Sequence, residues 1–543
     1  MLTGLHRMMV VVVAVGLVLQ IFFSGCRGQA ASSFAITGDG LKNISMACSA
    51  TRFDKLCKHY FLLLPDVVVA AREPAEFVKY SITLASQQVN SSLLDVDGMG
   101  YSTSRKQLIL EDIRELLGSS MNVLMLSLGR ELRGNNSFAD VRHWLSAALT
   151  YNNDCYDYLS RFSDTVSSRI RYLSIPLITN ALWALDAFET NRDDFSAWRR
   201  TPVVARSLKE MERERRDGNK LIQLEATVAK AVVSHDPDYG SHTSIQAAVD
   251  DAPDHLNRRY TIYITAGVYD EIVRIPSTKT MIAFVGDGIN KTVITGNLST
   301  VMGISTYRTA TVAVSGNGFL MRDITVVNTA GPGGQAVAMR VDSDMAAIHR
   351  CSFWGFQDTL YTHAYRQFYR DCSIYGTIDF IFGNAASVFQ NCNIQIRPGA
   401  ANHTMSTITA HGRTDPAQDT AFVCQSCWIS GTPEYLEARL AEPGKHQGFL
   451  GRPWKPYARA IFIESYLDVV IDPSGWLPWN GTLGLDTVVL AEFHNYGPGA
   501  SPIGRVGWSK QLNTIAALEY SVRGLIQGGY WLPFTGVPYR LVF

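Results

Sequence analysis

Three short phrases recur along the second half of this chain: His349-Arg350-Cys351-Ser352-Phe353, Arg370-Asp371-Cys372-Ser373-Ile374 and Gln390-Asn391-Cys392-Asn393-Ile394. Their cysteines lie 21 and then 20 residues apart. Short apolar runs at this period, without helical spacing, predict a parallel β-solenoid in which each repeat is one coil. The repeat also aligns two acids. Asp358 follows Cys351 by seven residues, and Asp379 follows Cys372 by seven. Stacking the phrases sets these carboxylates side by side on neighbouring coils, with backbones roughly 4.8 Å apart. Two carboxylates that close do not both ionise freely, so one pKa rises and the pair becomes an acid beside a base or nucleophile. The plainer alternatives are a surface ladder of aspartates or a calcium site. The flanks oppose both: Gly355-Phe356-Gln357-Asp358-Thr359-Leu360-Tyr361 and Gly376-Thr377-Ile378-Asp379-Phe380-Ile381-Phe382-Gly383 set each Asp among aromatic and aliphatic neighbours.

A length of 543 residues suits two domains plus processing segments. Lys+Arg and Asp+Glu balance at 49 each, which gives no electrostatic footprint for nucleic acid. Arg7 precedes the apolar run Met8 to Phe23, followed by small residues up to Ala31, so residues 1–31 read as a signal peptide, with a retained signal anchor as the alternative. Seven N-x-[ST] sequons, at Asn43, Asn90, Asn135, Asn290, Asn297, Asn402 and Asn480, agree with a secreted glycoprotein.

Residues 32–190 read as an α-helical bundle. Val68 to Val89, Arg105 to Arg130 and Phe138 to Phe162 carry apolar residues at intervals of three and four. The charged span 191–230, with Arg215-Arg216 inside it, reads as an exposed linker; the basic pair is either a protease site or part of a solvated helix face. From 231 to 543 the pattern changes to short β-branched and aromatic strands, such as Tyr260-Thr261-Ile262-Tyr263-Ile264. Thr243 to Asp251 predicts a short helix closing the solenoid end.

The chain lacks a G-x-S-x-G elbow, an H-E-x-x-H zinc motif and a P-loop. Cys424-x-x-Cys427 suits disulfide formation or a buried half-cystine better than a metal, and no metal or cofactor is expected. Gln335 stands 23 residues before Asp358, about one coil, and Gln357 adjoins it. Their amide N–H groups suit an oxyanion, at roughly 3 kcal/mol per donor in well-studied cases. Arg452, in Leu450-Gly451-Arg452-Pro453-Trp454, supplies a guanidinium able to hold a carboxylate ionised. Trp454 offers a flat face for a sugar ring, or solenoid packing. Together these groups meet the needs of acyl transfer at an ester. A retaining glycosidase also uses two carboxyls about 5 Å apart, and a binding protein whose helical half is the active part is a non-enzymatic alternative.

The motifs around Asp358, Asp379 and Arg452, with Arg366-Gln367-Phe368-Tyr369-Arg370, Gly286-Asp287-Gly288 and Asn328-Thr329-Ala330-Gly331-Pro332, resemble the signature segments of plant pectin methylesterases. The helical half, through Ala47-Cys48-Ser49-Ala50-Thr51 and Trp144-Leu145-Ser146-Ala147-Ala148, resembles the inhibitor-like pro-region that precedes such domains. The resemblance implies a right-handed parallel β-helix after the bundle and hydrolysis of C6 methyl esters of homogalacturonan. It makes Asp379 the nucleophile and Asp358 the proton donor and later the base. Gln335 and Gln357 then line the oxyanion site, Arg452 orients Asp379, and Thr306, Gln335, Arg452 and Trp454 contact substrate. It further implies secretion to the cell wall, a monomer, and a separate pectinesterase-inhibitor protein as a partner. His411 stands where the family has Gln, a change expected to touch substrate contacts or pH response. Cys48 and Cys57 are expected to bridge, as are Cys351 and Cys372, leaving Cys155 free. One staple and a charged linker predict a helical half that detaches with little loss to the β-helix.

Overall fold

The computed structural model describes residues 38–63, 72–100, 103–132, 134–161, 164–191, 194–198, 229–400, 403–442 and 444–543. The expected leader, residues 1–31, and Arg215-Arg216 lie outside them. No helix among the described residues is long and apolar enough to cross a membrane.

The first half is all helix: α1 (Gly38–Ser49), α2 (Asp54–Phe61), α3 (Pro74–Asp97), α4 (Ser104–Gly129), α5 (Asn135–Leu159), α6 (Asp164–Arg169) and α7 (Ile175–Asn191). Pro74 opens α3 where its missing N–H costs no bond, and the Thr103 hydroxyl caps α4 by accepting from Lys106 N at 3.2 Å. Phe77, Leu117, Leu145 and Ile178 form its buried centre. Cys48 and Cys57 are bridged, with Cα atoms 5.5 Å apart, and Cys155 is a free buried thiol, as the sequence predicts. The bundle extends further than expected. Phe195 and Trp198, read as linker, are buried against Phe77 with ring centroids 6.1 and 5.7 Å away. Burying two large aromatics outweighs the charge of Asn191-Arg192-Asp193-Asp194 beside them.

From Ala231 the chain winds a right-handed β-helix of three parallel sheets with eleven, seven and eight strands. Phe353, Ile374 and Ile394 are successive partners in the eight-stranded sheet, and all are buried. The recurring phrases mark one corner of each coil. Arg350, Asp371 and Asn391 take φ of 50°, 53° and 58°, a left-handed bend that Asp and Asn tolerate best, and the following cysteine turns into the core. Cys351 and Cys372 stack as expected but remain separate thiols. Residues in register on adjacent parallel strands point the same way, not at one another, and a bridge needs converging Cβ vectors. Each thiol instead donates to a main-chain carbonyl, Cys351 to His349 O at 3.4 Å and Cys372 to Arg370 O at 3.4 Å. Cys392, Cys424 and Cys427 are likewise free and buried. The predicted end cap is present as a helix over Ile245–Asp251, with Ser244 as its N-cap.

The two halves share a contact surface that the sequence did not predict. Tyr307, Tyr361, Phe382 and Ala410 of the β-helix belong to one apolar cluster with Tyr151, Leu145 and Leu117 of the bundle. Around this patch Ser305 Oγ donates to Asp112 at 2.6 Å, Tyr307 OH to Glu115 at 2.7 Å and Asn384 to Thr150 Oγ1 at 2.8 Å. Lys455 pairs with Asp157 at 2.7 Å, and Arg366 pairs with Asp140 at 2.9 Å. His363 sits between Asp154 of the bundle and Asp342 of its own domain, 2.5 Å from each. Burial alone lowers the pKa of this imidazole, but the two carboxylates outweigh it and raise the value to about 9.

Candidate active site

The corner entering the seven-stranded sheet gathers the predicted acids. Leu360 pairs with Ile381, so Asp358 and Asp379, each two residues earlier, hold equivalent places on adjacent coils. The main chain ties this corner together: Ala336 N donates to Gln357 O at 3.2 Å, and Asp358 N donates to Ile378 O at 3.0 Å. Both aspartates sit in the left-handed region, with φ of 64° and 50°. A non-glycine residue in that region costs conformational energy and persists where surrounding structure dictates the turn.

The two carboxyls live in different surroundings. Asp379 is 4 % exposed and fully engaged. Arg452 Nε donates to its Oδ1 at 2.8 Å and Nη2 to its Oδ2 at 2.6 Å, a two-pronged charge-assisted grip. Thr407 Oγ1 donates to the same Oδ1 at 2.6 Å and accepts from Asp379 N at 2.9 Å. Asp358, 7 % exposed, receives no hydrogen bond to its carboxyl among the described residues. Burial first, and then the charge of Asp379, push its pKa well above the usual carboxylate range, while Arg452 opposes them. One carboxyl is thus held by three donors, and the one beside it is biased by burial toward its protonated form.

The remaining predicted groups fall at different distances from this pair. Gln335 lies one coil before Gln357, and both are half-buried; Gln335 Oε1 accepts from Thr300 Oγ1 at 3.0 Å, which turns its amide N–H2 to other partners. Thr306 starts a short 3₁₀ turn between Ser305 and Tyr307, both of which bond to the bundle, so it stands at the edge of the domain contact. Trp454 lies over Gly412, where an added Cβ would meet its ring at 2.9 Å, and it packs against the apolar cluster shared with the bundle. His411 faces away from the acids. It is 1 % exposed, its Nδ1 accepts from Arg459 N at 3.0 Å, its ring meets Phe422 edge-on, and burial lowers its pKa well below the usual value. That departure touches the core of the coil, not the site.

Two groups escaped the sequence reading. Thr407 follows Asp379 by 28 residues instead of 21 because its coil carries an extra loop, so counting by the repeat misses it. Trp479 lies under Arg452, whose Cζ is 4.4 Å from the ring centroid, and it is 38 % exposed. A flat, partly open indole beside the guanidinium suits a sugar face better than Trp454 does, and the repeated Trp in Trp476-Leu477-Pro478-Trp479 was its only signal.

Two protein families match separate parts of this chain. The Pectinesterase family model matches residues 230–529. The model for plant invertase/pectin methylesterase inhibitors matches residues 42–183. The chain is 40% identical to pectinesterase/pectinesterase inhibitor PPE8B of Prunus persica, over 88% of this chain and 90% of that one. It is 38% identical to pectinesterase 2 of Citrus sinensis, over 91% and 93% of the two chains. Among solved structures, pectin methylesterase from carrot superposes with a TM-score of 0.57 at 41% identity, covering 59% of this chain and all of that one.

Proposed function

This chain belongs to the pectinesterase family, enzymes that demethylate pectin in the plant cell wall, and on that premise we propose that Asp379 is the nucleophile and Asp358 the acid and base of its ester hydrolysis. An oxygen of Asp379, presented by the two-pronged grip of Arg452, attacks the C6 carbonyl of a methyl galacturonate unit. The amide N–H groups of Gln335 and Gln357 receive the oxyanion. Asp358 gives its proton to the departing methoxide, and methanol leaves an acyl-enzyme on Asp379. Now ionised, Asp358 takes a proton from water as that water attacks the acyl carbon; Asp379 leaves as its carboxylate and is restored, and the C6 carboxylic acid departs and gives its proton to solvent to become galacturonate. Trp479 and Arg452 hold the sugar ring.

The single observation that carries this assignment is the asymmetry of the pair: among the described residues, three donors converge on the carboxyl of Asp379 and none on that of Asp358. A base left without donors in a buried corner keeps its proton for the first step and surrenders it when its neighbour becomes a neutral acyl group. We further propose that the chain is secreted to the wall, on the strength of its N-terminal apolar run and sequons; Asn290, Asn297 and Asn480 are exposed. The test is methanol release from methylated pectin, measured beside the appearance of reducing ends. Methanol without new reducing ends is expected. New reducing ends would mean a glycosidase, and loss of neither methanol nor rate in Asp379→Ala would remove the nucleophile assignment.

A further inference from the structure

None of the interdomain bonds described above falls on the eight-stranded sheet. Near the active corner its outer surface holds a groove of about 380 Å³. Trp354, Phe356, Arg397 and Asn290 line it, with Thr325 and Val327 on its floor. Trp354 is stacked on Tyr375, centroids 3.7 Å apart, and its partner on the preceding coil is Val327, so the free side of the indole looks into the groove. Arg397 lies over the Phe356 ring at 4.1 Å and within 5.5 Å of the Trp354 ring. Of its guanidinium donors, Nη1 is used on Gly355 O at 3.1 Å. A cation laid flat on aromatic rings, with donors left over, is a fixed receptor for a carboxylate beside a stacked ring.

We propose that this groove binds a galacturonate unit of the demethylated chain, its carboxylate on Arg397 and its ring against Trp354. The occupant follows from chemistry and place. Esterase action converts a neutral methyl ester into an anion, and a single cation distinguishes the two. Phe356 of the groove, Gln357 and Asp358 are consecutive residues, so the groove begins where the catalytic corner ends. The ligand class thus rests on the esterase reading, although the binding itself does not require turnover. The competing occupant is the chain's own glycan, because Asn290 is the first residue of a sequon at the groove's rim.

Calorimetry with a short, unesterified galacturonan oligomer tests this on the full chain, compared with Arg397→Gln. The expected result is at least tenfold weaker binding in the variant, with the difference shrinking as salt is raised. Equal affinity overturns the proposal. If Arg397→Gln melts well below the parent, Arg397→Lys replaces it: the charge stays, the stacked plane is lost, and severalfold weaker binding is expected, equality again being fatal. Binding that is absent from glycosylated protein and present in Asn290→Gln would assign the groove to the glycan and also overturn the proposal. Failure here leaves methanol release intact, whereas a chain that binds the oligomer through Arg397 yet releases no methanol would sink the esterase reading and leave the groove standing.

Discussion

Replacing Arg452 by lysine keeps the positive charge and removes the fork. In the parent, two N–H groups reach the two oxygens of Asp379 at 2.8 and 2.6 Å, and Trp479 backs the guanidinium plane at 4.4 Å. An ammonium reaches one oxygen at a time. The lost contact is charge-assisted and largely shielded from water, which puts it at about 1.5–3 kcal/mol. If that bond serves to present Asp379 to the ester, the loss appears in the barrier, as a fall in kcat/KM of about 10- to 150-fold. Most of the fall should lie in kcat, since the charge that draws an anionic chain is retained. Methanol release across a range of pectin concentrations separates kcat from KM, and the melting temperature checks that the variant is folded. A lysine variant within threefold of the parent would refute the reasoning: charge alone would then suffice, and the paired geometry would be incidental.

Asp379→Ala should leave less than about a hundredth of the parent turnover, the scale on which loss of a covalent nucleophile registers. Asp358→Asn should release methanol once, as a small burst in rapid mixing, and then stop for want of a base. Thr407→Val removes the 2.6 Å donor to Asp379 and the acceptor of its main-chain N–H; about tenfold loss of kcat with unchanged KM is expected, read in the same methanol assay. The domain contact should tighten in acid. Burial raises Asp112 from 3.8 to about 6 against the pull of Ser305 and Arg308, so its protonation favours the folded, docked state below pH 6, and that gain is lost as pH climbs from 3.8 to 6. His363, raised from 6.5 to about 9, contributes fully below pH 6.5 and loses its share between 6.5 and 9. Melting curves should therefore lose stability as pH rises through both windows, and Asp112→Asn should flatten the lower one; an unchanged slope there would show that Asp112 is not the group responsible.

Much of the β-helix was legible because one rule repeats along it. A left-handed corner residue followed by an inward cysteine gave the period, and the period placed Asp358 on Asp379. The same rule misled where direction mattered. Equivalent positions on stacked coils are close but parallel, and for that reason Cys351 and Cys372 neighbour each other without bonding. Thr407 was hidden by a coil of unusual length. The domain contact left no local trace at all: Trp144 Nε1 donates to Asp344 at 3.1 Å across 200 residues, and neither residue differs in context from a buried Trp or an exposed Asp. Periodicity reports what a segment does with its own neighbours. It carries no information on which finished surface a second domain will cover.

That surface is the row of the seven-stranded sheet that also carries the site. Arg340, Tyr361, Phe382, Ala410 and Arg452 are successive partners across five coils, so their side chains emerge in line. The bundle covers Tyr361, Phe382 and Ala410, and the next member of the line is Arg452 on Asp379. Trp454, two residues further on, packs against the shared cluster. A sugar chain extending from the catalytic corner along this row meets the bundle at once. The chain shortened to residues 229–543 should therefore fold, release methanol, and show a KM for methylated pectin at least severalfold below that of the full chain. It should also melt lower, because Tyr307, Tyr361 and Phe382 lose their cover and His363 loses Asp154. Equal KM for the two chains would mean that substrate runs across the row rather than along it, and soluble protein obtained only when the bundle is present would make the bundle a folding partner instead of a neighbour of the cleft.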